Sequence, residues 1–228
     1  MNLAEKTVRK NYVFEGKIIK VRCDDAELPD GRPCRREVVE HGGGAAVLYV
    51  RGGEVLLVKQ YRYAYGEELY EIPAGKLKPG EDPAKTAARE LEEEAGFVPE
   101  TVRLLYVLYP TPGYTNEKIY IYRAEGVKEG RVHLDDGEFL TSAFYPLEKA
   151  AEMIERGEIK DAKTVVAIQR VLLENGAKRR CRGPAIKTCE KKKRRLRRCR
   201  RRFCRPGGET RFICSRSPNR RYCTARPF

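Results

Sequence analysis

Residues 75–97 read GKLKPGEDPAKTAARELEEEAGF and contain a full set of helix start and stop signals. Asp82 has a side chain suited to a helix N-cap, and Pro83 suits the first helical position because an N–H there has no intrahelical partner. Gly96 can adopt the left-handed conformation that commonly ends a helix. These signals predict a helix from Pro83 to Ala95.

The predicted helix has two faces of opposite chemistry. Glu90, Glu93 and Glu94 share one face, where like charges repel at i and i+4 and also meet the negative end of the helix dipole. A divalent cation would remove both penalties, because Mg²⁺ prefers oxygen ligands. The alternative is an acidic face exposed to solvent. The adjacent face is expected to pack inward through Ala84, Ala87, Leu91 and Ala95.

The spacing of glycine and charged residues in this segment is highly specific. Five residues separate Gly75 from Glu81, and seven separate Glu81 from Arg89-Glu90-Leu91; Glu93-Glu94 and Gly96-Phe97 then follow at single-residue intervals. This pattern resembles the Nudix box, with no defining position missing. The resemblance implies an α+β fold, the Nudix α/β/α sandwich with a mixed sheet. It also implies hydrolysis of a nucleoside diphosphate linked to another moiety.

The resemblance further implies roles for the charged residues of the box. Glu90 and Glu94 would bind the metal, Mg²⁺ or Mn²⁺, with Glu93 assisting. Arg89 would orient these carboxylates through charge-assisted hydrogen bonds. The box is therefore expected to supply most of the metal site.

Two regions outside the predicted helix are expected to complete the metal site. Gly75 would let the backbone come close to a bound metal or phosphate, and its neighbour Ala74 would offer a carbonyl ligand. The acidic loop at residues 135–138 supplies further carboxylates. By the resemblance, Glu138 is assigned as a further metal ligand or the general base, and Asp136 as the alternative base. A solvated acidic turn is the other interpretation of this loop.

Features beyond the box resemble the ADP-ribose pyrophosphatase branch of the Nudix hydrolases. Pro112 lies 16 residues after Gly96 in the sequence Thr111-Pro112-Gly113, and residues 161–164 read DAKT. The resemblance implies hydrolysis of ADP-ribose to AMP and ribose 5-phosphate. NADH, an ADP-sugar and capped RNA are alternative substrates. A nucleotide sensor that binds nucleic acid is an alternative of another class, although such sensors usually lose box residues.

Four residues are assigned to substrate binding. Arg36 and Arg62 match positions of this branch that grip the phosphates or the terminal ribose, and a planar guanidinium suits bidentate binding of oxyanions. A surface charge is the alternative interpretation for each arginine. Pro112 and Glu117 lie in the loop at residues 110–117, which is expected to carry specificity.

Three predictions concern the remaining body of the chain. Residues 45–50 and 54–61 are expected to form one hairpin closed near Arg51-Gly52-Gly53. The last helix is expected to start at Asp161 and to stop at Glu174-Asn175-Gly176. His41 and His133 have no Cys/His constellation around them and are interpreted as structural.

The chain divides into three parts by composition. Residues 1–40 are a predicted β-element with too little apolar material for its own core, and the resemblance implies that this element forms a homodimer. Residues 41–177 are the predicted catalytic domain. The net charge of +14 arises in residues 178–228, which carry 21 basic and two acidic residues, whereas the preceding chain carries −5. This basic tail is expected to be disordered, since few large apolar residues remain for a core.

The tail and the cysteines leave further alternatives open. Non-specific contact with nucleic acid is one alternative for the tail, because Arg-rich segments bind polyanions electrostatically. A shifted reading frame is another. Only Cys23 and Cys34 lie in the body, no segment resembles a signal peptide or a membrane span, and a cytoplasmic location is therefore expected.

Overall fold

The computed structural model describes residues 2–182. Its strands are, in chain order, β1 (Lys6–Arg9), β2 (Tyr12–Glu15), β3 (Ile19–Glu27), β4 (Pro33–His41), β5 (Gly44–Leu48), β6 (Val50–Arg51), β7 (Glu54–Arg62), β8 (Glu67–Glu71), β9 (Ala74–Lys76), β10 (Phe97–Val98), β11 (Thr101–Leu108), β12 (Ile119–Glu125), β13 (Lys128–Glu129) and β14 (Leu140–Pro146). Its helices are α1 (Pro83–Ala95), α2 (Leu147–Glu155) and α3 (Ala162–Arg182).

The N-terminal strands form a sheet of their own. The long strand β3 pairs antiparallel with β1, β2 and β4. The strands expected in residues 1–40 are therefore present, and β1 is an addition that its short sequence, KTVR, did not signal. Val8, Val13 and Phe14 of this sheet remain exposed, as does Ile18 in the connection between β2 and β3.

Two further sheets make up the centre of the fold. One has the strand order β11-β12-β5-β9, and it is mixed because β12 and β5 run parallel. The other joins β7 to β14, β6 and β8. The prediction of a single hairpin from residues 45–50 and 54–61 is therefore wrong, since only Val50–Arg51 pairs with β7. Strand β5 instead lies between β9 and β12.

Strand β5 separates two hydrophobic cores. Ala46 and Leu48 face a core that includes buried residues of α2 and α3, whereas Ala45 and Val47 face a core that includes Ala87, Leu91 and Ala95 of α1. Successive strand residues point to opposite faces, so helices cover both sides of the strand. This arrangement confirms the predicted α+β fold with an α/β/α sandwich.

Helix α3 carries the predicted apolar stripe but does not end where expected. Ile168 and Val171 are buried, and Val165 and Leu172 pack against the same core. The predicted stop at residues 174–176 is wrong, because the helix continues to Arg182. Gly176 does not take the positive φ that a left-handed cap needs.

Several predictions lie outside the described residues. Those on the disorder and nucleic-acid contacts of the tail concern residues 178–228, of which the structure describes only residues 178–182, at the end of α3. Within the described chain, no helix is both long and apolar enough to cross a bilayer.

Candidate active site

Helix α1 begins and ends as its sequence predicts. The Asp82 side chain accepts a hydrogen bond from the backbone N–H of Ala84 at 2.9 Å, and Pro83 occupies the first turn. Gly96 has φ of 71° and donates its N–H to the carbonyl of Glu92 at 2.8 Å. Because the inward face of α1 is buried, its register fixes which glutamates turn towards β9.

Glu90 and Glu94 lie inside the protein rather than on a solvated face. Their relative exposures are 7% and 3%. Glu94 accepts a hydrogen bond from the backbone N–H of Ala74 at 3.1 Å. A Cβ atom at Gly75 would lie 1.9 Å from Oε1 of Glu90, so the close approach that requires glycine here is made by the Glu90 carboxylate.

Burial raises the pKa of both carboxyl groups. The pKa of Glu90 rises to about 7, chiefly because the group is removed from water, with Glu93 and Glu138 adding repulsion against the attraction of Arg89. The pKa of Glu94 rises to about 8, again chiefly through burial and then through the charge of Glu90. Two neighbouring buried carboxylates without sufficient positive charge form a donor set that suits a hard cation.

The described residues fit a divalent metal only if the acidic loop at residues 135–138 or a backbone carbonyl supplies further oxygen ligands. In residues 2–182, no three His, Cys, Asp or Glu side chains are gathered as a complete metal site. Glu138 is close enough to repel both helix carboxylates, and Ala74 lines the same cavity. A metal here would therefore be held by Glu90 and Glu94, with Glu138 and the Ala74 carbonyl as further oxygen donors.

Arg89 contacts three of the surrounding carboxylates. Its Nη1 lies 2.5 Å from Glu93 and 2.9 Å from Glu90, and its Nε lies 3.4 Å from Glu81. Nη2 is buried and finds no hydrogen-bond partner among residues 2–182. These contacts have the geometry of a residue that orients Glu90 and Glu93.

A cavity of about 470 Å³ brings most of the predicted site residues together. Those that line it are Arg62, Ala74, Arg89, Glu90, Glu94, Glu117 and Glu138. Glu93 does not line the cavity and reaches it through Arg89. From the acidic loop, Asp135 lines the cavity and Asp136 does not.

Arg36 and Pro112 are not among the residues that line this cavity. Arg36 makes a bidentate contact with Glu5, at 2.6 and 2.8 Å. The loop that contains Pro112 is tied to the N-terminal sheet, because Val39 donates its N–H to the carbonyl of Tyr114 at 2.7 Å. Residues 1–40 thus support the loop from one side within the same chain.

Sequence reasoning assigned no function to several residues of the cavity. His41 lines it, lies 3.3 Å from Glu117 and accepts the N–H of Gly43 at Nδ1. Gln60 and Lys163 also line it. Lys163 stands in the DAKT sequence at the start of α3, but nothing in that sequence indicates what its side chain contacts.

Lys163 belongs to a buried ion network beside the cavity. Glu71, which is 2% exposed, accepts hydrogen bonds from Nε and Nη2 of Arg62 at 2.5 and 2.7 Å and from Lys163 at 2.5 Å. Lys163 also lies 3.0 Å from Asp161. Burial alone would raise the pKa of Glu71, but the hydrogen bonds and charges of Arg62 and Lys163 lower it below its ordinary value.

The geometry agrees with the comparison of this sequence with protein families. The sequence model of the NUDIX domain matches residues 40–168. The chain belongs to the Nudix family. A second model, the nucleoside diphosphate sugar hydrolase N-terminal domain, matches residues 5–39.

Two relatives match most of this chain and nearly all of their own length. The chain is 41% identical to the ADP-ribose pyrophosphatase of Bacillus subtilis (strain 168), over 76% of this chain and 95% of the relative. It is 40% identical to the methanol dehydrogenase activator of Bacillus methanolicus, over 76% of this chain and 96% of the relative. These matches confirm the resemblance to the ADP-ribose pyrophosphatase branch, and the protein is a Nudix pyrophosphohydrolase.

A solved structure shows the same fold. The crystal structure of an ADP compounds hydrolase superposes with a TM-score of 0.67 and 22% sequence identity, covering 77% of this chain and 98% of the other. At this identity the match confirms the Nudix fold alone.

Proposed function

We propose that this Nudix enzyme hydrolyses the diphosphate of ADP-ribose to AMP and ribose 5-phosphate with Mg²⁺ or Mn²⁺. The observation that carries the proposal is the pair of buried carboxylates, Glu90 and Glu94, in a cavity that also holds cationic side chains. A diphosphate is a polyanion and needs both a metal and cations. The similarity to the Bacillus subtilis enzyme supports ADP-ribose as the substrate.

The proposed metal ligands are Glu90, Glu94 and the carbonyl of Ala74, and Glu138 is either a further ligand or the general base. A divalent cation bound there would neutralise diphosphate charge and lower the pKa of a bound water. Arg89 holds Glu90 and the assisting Glu93 in place through its contacts with both.

Glu138 is the proposed general base, and Asp136 is the alternative. Glu138 lines the cavity and its charge is felt by Glu90 and Glu94, whereas Asp136 does not line it. The Glu138 carboxylate would accept a proton from the attacking water. Its position in the cavity wall favours Glu138 over Asp136.

Substrate contacts are proposed for Arg62 and Glu117, which line the cavity. Arg36 and Pro112 remain proposed contacts at the periphery. NADH, an ADP-sugar and capped RNA remain alternative substrates.

A substrate panel tests this function. ADP-ribose, NADH, an ADP-sugar and capped RNA are incubated with the full chain and Mg²⁺, and the products are identified by mass spectrometry. We expect ADP-ribose to have the highest kcat/KM and to give AMP with ribose 5-phosphate. Full activity in excess chelator, or a higher kcat/KM for another substrate, would overturn the proposal.

A homodimer formed through residues 1–40 is part of the proposal. The exposed apolar side chains Val8, Val13 and Phe14 of the N-terminal sheet support it, because such a surface favours burial against a second subunit. Val13→Asp should shift the protein from dimer to monomer in sedimentation velocity at micromolar concentration. Leu173→Asp, at an exposed position of α3, is the matched control. A wild-type chain that sediments as a monomer would contradict the dimer.

We also place the enzyme in the cytoplasm. Cys23 and Cys34 are both free, as expected in a reducing compartment.

A further inference from the structure

The ion network around Glu71 places two cations at the wall of the active-site cavity. Arg62 and Lys163 both line this cavity, and Glu71 lies behind them, almost without exposure. Arg62 is close enough to Glu94 for that carboxylate to raise its pKa, after the larger effect of the hydrogen bond to Glu71. The cations therefore adjoin the acidic part of the cavity.

Within the described residues, the contacts of the network do not use every donor of the two cations. Glu71 uses Oε1 for Nε of Arg62 and Oε2 for Nη2 of Arg62 and for Lys163. The ammonium of Lys163 contacts two carboxylates, those of Glu71 and Asp161, and retains a further N–H. The guanidinium of Arg62 likewise retains its Nη1 donors, since its contacts with Glu71 use Nε and Nη2.

A purely structural role does not account for a buried lysine here. Other contacts already attach the start of α3 and the residues before it to β8 and its C-terminal end, since Thr164 accepts the N–H of Ile72 at 2.8 Å and exposed Lys160 pairs with Glu67 at 2.8 Å. Burying an ion pair is seldom better for stability than an apolar contact of the same volume. Lys163, at 8% exposure, therefore carries a desolvation cost that stability alone does not require.

We propose that Lys163 contacts a phosphate oxygen of the nucleoside diphosphate substrate, with Arg62 beside it, and that Glu71 is the positioning residue that holds both cations. Phosphate is the ligand that this arrangement suits, because a guanidinium and an ammonium that contact the same carboxylate oxygen lie side by side at the cavity wall, and both donate N–H groups to oxyanions. The subsite deepens the proposed function and requires only that the substrate contain a diphosphate.

Steady-state kinetics of three variants test this subsite. Lys163→Met removes the charge, Lys163→Arg keeps it, and Lys160→Met removes an exposed lysine–glutamate pair that joins the same two parts of the chain. Each full-length variant is assayed at saturating Mg²⁺ with ADP-ribose or whichever panel nucleotide the wild type hydrolyses. Mn²⁺ affinity is measured separately by electron paramagnetic resonance without substrate.

We expect Lys163→Met to raise KM by about 10- to 100-fold, the effect of losing one charge-assisted hydrogen bond, with kcat little changed. Lys163→Arg should recover part of the affinity, and Lys160→Met should leave KM unchanged. Mn²⁺ affinity should be the same in all variants, because Lys163 contacts Glu71 and Asp161 rather than the proposed metal ligands. A role confined to holding the fold would not separate KM from kcat in this way.

Clear outcomes would overturn the subsite. An unchanged KM in Lys163→Met, or a loss of Mn²⁺ affinity equal to the loss of substrate affinity, excludes a substrate contact by Lys163. If Lys163→Met does not fold, Lys163→Gln takes its place, because its amide can still donate to Glu71, and the same rise in KM is expected. Failure of the wild type to hydrolyse ADP-ribose overturns the proposed substrate alone, since the KM comparison then uses the nucleotide that is hydrolysed.

Discussion

Two clusters of charged residues, one around buried Glu71 and one around buried Glu90 and Glu94, adjoin the same cavity and have opposite electrostatics. Glu71 is 2% exposed and Glu94 is 3% exposed, so burial is almost equal. Yet the pKa of Glu71 is lowered, while the pKa of Glu94 is raised to about 8. The difference lies in the neighbours, because Glu71 contacts Arg62 and Lys163, whereas Glu94 has Glu90 beside it.

This difference distinguishes a completed ion network from one that requires a ligand. Glu71 has its compensating charges within the protein and can be ionised without help. Glu90 and Glu94 lack that compensation, which favours an external cation. Degree of burial alone would not separate the two clusters.

The largest expected effect is on turnover in Glu94→Gln. The amide keeps the shape of the side chain but lacks the charge of a metal ligand, so kcat should fall at least about 100-fold, beyond the usual cost of losing a residue that only supports a ligand. Glu92→Gln, two residues earlier in α1, is the matched control and should retain wild-type kcat. Wild-type turnover in Glu94→Gln at saturating substrate would show that Glu94 is not a ligand.

The next largest expected effect is a difference in the free energy of unfolding between variants of the two clusters. Glu71→Gln removes the shared anion of buried Lys163 and half-buried Arg62, and leaves Lys163 with Asp161 alone, so the free energy of unfolding should fall by about 3 kcal/mol, the lower end for a broken buried ion pair. Glu94→Gln should cause no such loss in chelator at pH 8, because it removes a repulsion. Chemical denaturation of both variants measures the difference. Equal losses in the two variants would contradict the contrast between the clusters.

The pH dependence of the metal-free protein sharpens the same contrast. Glu90 and Glu94 have pKa values of about 7 and about 8 in the folded state, above the ordinary value of 4.5. Between pH 4.5 and these raised values, the folded state therefore binds more protons than the unfolded state. The free energy of unfolding should therefore fall as pH rises from about 4.5 to about 8, by at most about 1.4 kcal/mol per pH unit for each group, and then level off.

Denaturation in chelator from pH 5 to pH 9 measures this slope. Added Mg²⁺ should restore stability at pH 8, since it binds the ionised carboxylates. Glu94→Gln should show a smaller slope than wild type. A metal-free protein whose stability rises over this range would mean that these carboxylates are already compensated.

Local signals made the helix of the Nudix box predictable, and long-range contacts account for what was missed. Asp82, Pro83 and Gly96 act within one helical turn of the ends they determine, so the bounds of α1 are confirmed. Glu71 and Lys163 are 92 residues apart, and no periodicity in the sequence indicates that they meet. The network was therefore visible only in the fold.

The predicted pairing of β5 with β7 and the predicted end of α3 were wrong for similar reasons. The runs that became β5 and β7 flank a glycine turn and both are apolar, which favoured a hairpin. The partners that β5 takes, β9 and β12, lie far along the chain. Gly176 was expected to end α3, but a glycine permits a left-handed cap without requiring one.

The smallest expected effect is that of removing residues 183–228. Both glutamate clusters, and every residue given a role in hydrolysis, lie within the described part of the chain. Since α3 continues to Arg182, a chain ending there keeps all of α3, which a boundary at residue 177 would cut. Its kcat and KM for ADP-ribose should stay within about a factor of two of the full chain, the range of a change remote from the site.

Any low-salt binding of the full chain to nucleic acid should be lost, because the basic charge that binds polyanions is concentrated in the removed segment. Kinetics and a binding titration at two salt concentrations measure both properties on the same preparations. An inactive or unfolded truncated chain would mean that residues 183–228 are needed for folding or for hydrolysis.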